Sequence, residues 1–292
     1  MIGINYKDNF SRVFDYSGDV ETFVIPKNAT MLHIWAIGAG GNGGNGFSRV
    51  AGNPGGGGGS GASGAQVTMI IPARFLPSSL YIYVGKGGGG NSTDSGYTKV
   101  MFRRGDTGVS IVADSLLLAN CGLNGGNGSA AAVGSAGTGQ NYSLNNNAFA
   151  GLGTLSVTQS QTGVVGGTPS GSVGTNGGSL TISSPFTNGA GGAGCTTTDY
   201  QGGNIVPNTN AQLHAGITRQ GGQNAGDNGL DGLFFEEPLI GYGGSGGASN
   251  NSGVGGKGGN GAIGCGGGGG GAGVTGGVGG AGGNGRVIIT WF

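Results

Sequence analysis

Charge is scarce in this sequence. Lysine and arginine number 12, aspartate and glutamate 12, so 8% of the 292 residues are charged and the formal net charge is zero. Nine of the twelve cations precede residue 110, which leaves the remainder slightly acidic and argues against nucleic acid as a partner. Histidine is scarcer still: His33 and His214 are alone, and no Ser/His/Asp or Cys/His grouping stands out. His33 lies in an apolar run and reads as a residue facing solvent or a satisfied core partner. Cys121, Cys195 and Cys265 are odd in number and lack C-x-x-C spacing, so buried free thiols are expected, with no disulfide framework, no zinc site and no cofactor. No stretch of eighteen apolar residues exists, so no membrane insertion is expected. The opening "MIGINYKDNFSRVFDY" has no apolar centre and does not read as a secretory signal.

What the sequence has in excess is glycine, 78 residues against only 8 prolines. Such a content without a period normally signals disorder, because glycine loses the most backbone freedom on ordering. Disordered chains are typically rich in charge and poor in hydrophobes. Here hydrophobic residues make up 35% and are clustered. Strand-like runs fall at 20–26, 31–37, 65–72, 79–85, 97–104, 109–114 and 115–121, and once more in the closing "RVIITWF". Leu80, Ile82 and Val84 alternate with Tyr81 and Tyr83, and Val287, Ile289 and Trp291 share one face. About eight short strands with turns between them predict an antiparallel sandwich.

Between these runs the glycine tracts repeat every three residues. Residues 276–285 read G-G-V-G-G-A-G-G-N-G, and the same spacing recurs at 38–46, 122–128 and 253–261. Three residues per turn is the geometry of the polyproline II helix, which satisfies none of its own backbone groups. Two glycines in three leave bare ridges, so neighbouring helices can approach and bond to one another. The expected fold is all-β: a jelly-roll-like antiparallel β-sandwich with an inserted polyglycine II helix bundle. Residues 1–18 form an N-terminal docking segment, and 19–121 with 286–292 form the sandwich. The glycine-rich bundle and its loops take 122–285, with arms at 38–64 and 85–96.

"ETFVIPKNATMLHIWAIGAGGNGGNG", the central "LYIYVGKGGGG" and the closing "GGNGRVIITWF" resemble glycine-rich domains of phage and other viral structural proteins. The plan is also similar to the glycine-rich domain of anaplastic lymphoma kinase. Some phage tip adhesins likewise carry polyglycine II bundles with receptor contacts in loops at the far end. The resemblance implies a virion structural protein assembled in the host cytoplasm and exposed on the virion surface as a spike, fibre tip or capsid-attached component. Its implied partners are other virion proteins and a host surface receptor or glycan. A capsid brace, a non-viral ligand-binding module and an ice-binding protein are the other readings.

No residue set points to an enzyme. G-x-G-x-x-G recurs by chance in so glycine-rich a chain, and adjacent Glu236 and Glu237 would point apart in a strand. The candidate contact residues are an apolar island, Leu233, Phe234, Phe235, Leu239, Ile240 and Tyr242, which either packs on the bundle or sandwich or meets a receptor or subunit. Tyr97, Tyr142, Phe149 and Tyr200 are single aromatics between tracts, while Tyr6, Phe10 and Phe14 recur every four residues in the docking segment, where they either dock the chain onto a partner or pack under the first strand. Asparagine recurs at the third position of the repeat, as at Asn42, Asn45, Asn124, Asn127, Asn260 and Asn284. It either solvates the surface or tolerates unusual backbone angles, or forms a polar ladder for a glycan or a neighbouring subunit.

Overall fold

The computed structural model describes residues 10–89, 94–104, 115–140, 153–158, 160–169, 174–207 and 217–292. Strand order along the chain is β1 (Ser11–Asp15), β2 (Glu21–Val24), β3 (Met31–Ile37), β4 (Gln66–Pro72), β5 (Ser79–Tyr83), β6 (Thr98–Met101), β7 (Ser115–Ala119) and β8 (Thr154–Thr158). Six short pieces follow, β9 (Leu180–Thr181), β10 (Ile205–Val206), β11 (Phe234–Phe235), β12 (Ile240–Gly241), β13 (Asn250–Val254) and β14 (Gly273–Thr275). The last strand is β15 (Arg286–Trp291). The protein is nearly all-β, and two 3-10 turns are its helical elements among the described residues.

Two antiparallel sheets carry the apolar core. One runs β1-β15-β3-β4-β8 and the other β2-β5-β6-β7. Their facing sides interlock: Leu32, Ile34, Val67, Ile71, Val287 and Ile289 from the first meet Phe23, Leu80, Ile82, Val100 and Leu117 from the second. Period-two alternation of β-branched and aromatic residues supplies that face. The closing strand sits centrally, between β1 and β3, and so ties the end of the chain to its beginning.

Membership differs from expectation at two places. β1 comes from the segment read as a docking arm, because Phe14 is 1% exposed and stacks edge-on against Phe23 at 6.2 Å. β8 comes from the middle of the glycine-rich half and pairs with β4, with Leu155 and Val157 on one face packed against the core. The strand read at 109–114 lies outside the described residues.

The glycine tracts leave the ends of these strands and run side by side. Their order comes from backbone bonds between tracts. Along 38–47, Gly40, Gly43 and Gly46 donate to the carbonyls of Gly283, Gly280 and Gly277 at 2.8, 2.8 and 2.9 Å. Gly41 and Gly44 donate to Ala62 and Gly59, and the intervening Asn42 and Asn45 donate to the side-chain oxygens of Asn124 and Asn127. Successive N–H groups thus address three neighbours, and the cycle repeats after three residues. In the interior tract 264–273, Gly267, Gly268 and Gly269 likewise donate to Gly41, Gly259 and Ala190.

Close approach sets the composition. A Cβ on Gly268 would lie 2.0 Å from the Ser245 carbonyl oxygen. Third-position residues inside the array are small, such as Ala62, Ala190, Ala193, Ala248 and Ala272 at 0% exposure. Cys195 and Cys265 are fully buried free thiols at the ends of tracts, and burial pushes the Cys265 thiol pKa up to about 12.

Candidate functional site

The apolar island is taken up mainly by the fold. Trp35 and Ile37 project from β3 on the side opposite the main core, with Ile288 beside them. Phe186, Cys265, Phe234 and Leu239 cover that second face. Leu233, Ile240 and Tyr242 pack with Ile182, Ala190 and Ile205 in a third cluster, where Tyr242 is 1% exposed and desolvation raises its phenol pKa. Phe235 alone of the six remains open, at 38%, with its ring edge-on to Tyr242 at 6.1 Å. The island therefore seals the junction between sheets and glycine tracts. Arg286 clamps that junction with a paired contact to Asp15 at 2.7 and 3.0 Å and its guanidinium 5.0 Å from the Phe234 ring.

Of the docking residues, Phe14 is in the core, Phe10 is half exposed against Trp291, and Tyr6 lies outside the described residues. Phe10 belongs to a wider surface at the end of the sheets remote from the glycine tracts. Strand register places Val24, Phe75 and Phe292 at that end, all well exposed. Lys27, Arg74, Arg103 and Arg104 are exposed in the connections there. This remote end is thus both basic and apolar. Tyr97 is half-buried beside Lys99, Tyr200 is half-buried, and Tyr142 and Phe149 fall outside the described residues.

The opposite end is where the tracts turn back. Backbone bridges Ser48↔Gly273 and Gly55↔Cys195 tie the turns into one surface, and β13 pairs with β14 beside them. A cavity of about 550 Å³ opens here, lined by Phe47, Arg49, Val50, Pro54, Ala130 and Val274. Val50 is 72% exposed and Val274 41%. Arg49 is 7% exposed and has no ion-pair partner among the described residues. It donates to the carbonyls of Val50 and Asn53, to Cys195 Sγ and to Asn251 Oδ1 at 3.0 Å, while Nε stays buried without a partner. Burial raises the Cys195 thiol pKa, and the neighbouring guanidinium opposes that shift. One buried cation thereby gathers three turns, its hydrogen bonds offsetting part of the cost of taking the charge out of water. Sequence reasoning missed Arg49, since a lone arginine in a polar loop carries no pattern.

The asparagines are engaged. Asn42 and Asn45 accept the N–H groups of Gly282 and Gly279 through Oδ1, and Ser48 accepts that of Gly276, all at 2.8–2.9 Å. Asn260 and Asn284 accept from Ala281 and Gly87 in the same way. A side-chain oxygen at the repeat's third position stands in for the carbonyl of an absent outer tract.

A scan against protein-family models finds no match to this chain, and neither does a search of curated proteins.

Proposed function

We propose that this chain is a virion structural protein, with a jelly-roll-like sandwich as base and a polyglycine II bundle projecting from it. Residues 19–121 with 286–292, apart from the arms at 38–64 and 85–96, make the base together with β1 and β8, and those arms with the rest of the glycine-rich chain make the projection. The three-residue cycle of N–H directions supports the polyglycine II reading, since that is what three residues per turn produces. In this reading the chain binds and does not catalyse. Its basic, apolar remote end meets other virion proteins, and the far turns meet a host receptor or glycan.

The observation that carries the reading is the cavity at the far turns, apolar at its rim and held by the buried Arg49. Contiguous exposed apolar surface rimmed by polar residues marks interaction sites. Immunogold microscopy of particles from the source tests it, with one antibody against residues 47–54 and another against 73–78. Label from the first on intact particles, and from the second only after disruption, is expected. Equal access for both, or particles that bind neither, overturns the proposal.

A further inference from the structure

Nine asparagines in this sequence are followed directly by glycine, the pairing most prone to spontaneous deamidation because glycine leaves the attacking nitrogen unshielded. In that reaction the glycine amide loses its proton to solvent base, and its nitrogen attacks the asparagine Cγ. The N–Cγ bond forms, the Cγ–Nδ2 bond breaks, and ammonia leaves. Water then opens the resulting cyclic imide to aspartate or isoaspartate. Isoaspartate adds a methylene to the main chain, which would throw a tract out of its three-residue register.

We infer that the array of glycine tracts holds all nine pairs chemically inert, and that they become modification sites when tracts separate. In every pair the attacking N–H is already donated across to another tract. Gly43 and Gly46 donate to Gly280 and Gly277, and Gly125 and Gly128 to the carbonyls of Asn42 and Asn45, at 2.8–2.9 Å. Gly177 donates to Gln201, Gly189 to Gly61 and Gly229 to Lys257. Gly261 and Gly285 donate to Ala281 and Gly85, both at 2.8 Å. Deprotonating any of them means first breaking an inter-tract bond.

The electrophile is pinned independently. Eight of the nine carboxamides accept a neighbouring backbone N–H through Oδ1, among them Asn176 from Gln201 and Asn228 from Lys257. The ninth, Asn188, is 1% exposed and donates through Nδ2 to the Thr162 carbonyl. Rotating Cγ toward the following nitrogen would break that second bond too. Burial is not the common cause, since Asn45, Asn127, Asn176, Asn228, Asn260 and Asn284 are exposed. Reaction must instead pass through local opening, so its rate follows the open fraction of each tract.

The test is to age the intact chain at mildly alkaline pH, folded and in concentrated guanidinium, and to map peptides for isoaspartate. At least about tenfold slower modification is expected at all nine pairs in the folded chain, the factor reporting the free energy of local opening. Gly280→Val supplies the second arm, since the Gly280 carbonyl accepts the Gly43 N–H. Modification at Asn42 should rise in that variant ahead of modification at Asn176, in a remote tract. Equal rates in the folded and unfolded chains would overturn the inference. So would an unchanged Asn42 in a Gly280→Val chain whose melting temperature has fallen.

Discussion

The sheet pair and the glycine array share one chain and obey opposite packing rules. In the sheets, stability comes from large side chains that fill the space between two faces, such as Ile34 and Leu80 at 0% exposure. In the array it comes from side chains that are missing, so that backbones reach bonding distance, as between Gly43 and Gly280 at 2.8 Å. One region loses stability when atoms are removed and the other when atoms are added. The array also needs the sheets: the tract at 38–47 leaves β3, the tract at 55–65 returns to β4 and the tract at 276–285 enters β15, so strand register places these tracts beside one another.

The sharpest way to break this comparison is to add atoms to the array. Gly280→Val would place Cβ 1.9 Å from the Gly259 carbonyl oxygen, and it should cost more than about 3 kcal/mol because the obstacle is backbone. Ala281→Ser, one residue on and exposed, should stay within about 0.5 kcal/mol. Chemical denaturation of the two variants decides, and equal midpoints would sink the packing rule.

Removing atoms from the sheets is next. Ile34→Ala should cost about 3 kcal/mol through lost transfer energy and the cavity left behind. A change under about 1 kcal/mol by the same measurement would mean that the array, not the sheet core, sets global stability.

Removing a stitch is milder. Asn45→Ala deletes the acceptor of the Gly279 N–H at an exposed site, so about 1 kcal/mol is expected, and Asn45→Ser should recover part of it. Thermal melts of the two variants measure this, and no loss in either would leave the asparagines a purely solvating role.

The smallest effect is in pH. Burial lowers the His33 pKa, so the unfolded chain takes up the proton first as pH falls below about 6.5. His33 therefore contributes stability that is full above that pH, declines as pH falls toward the folded value, and is lost below it. His33→Gln should flatten this part of the stability profile. An unchanged slope would assign it to another group.

Much of the sheet pair was legible because its signal is local. Alternation at Leu80, Ile82 and Val84 names the buried face directly, and all three lie in the core. β8 was less legible: Thr154–Thr158 is short and half exposed, and although Leu155 and Val157 alternate with Thr and Ser, it is their packing on the core and the pairing with β4 that make it a strand. The island's apolar character was plain, but its partner was not. Trp35 and Ile37 sit about 200 residues away, and an apolar run looks the same whether it covers its own chain or another. The asparagine spacing was equally plain, yet the bonds it makes belong to tracts on all sides.

By itself the sequence determined the local geometry: which runs extend and alternate, and where a three-residue glycine repeat lets backbones come close. Those follow from side-chain size and shape at neighbouring positions. Only the tertiary structure decided which tract bonds to which, that Arg49 is buried among turns from three parts of the chain, and that each reactive Asn-Gly pair is held still. The physical reason is that backbone groups are identical from tract to tract. Local sequence does not tell them apart, and only the positions fixed by the strands do.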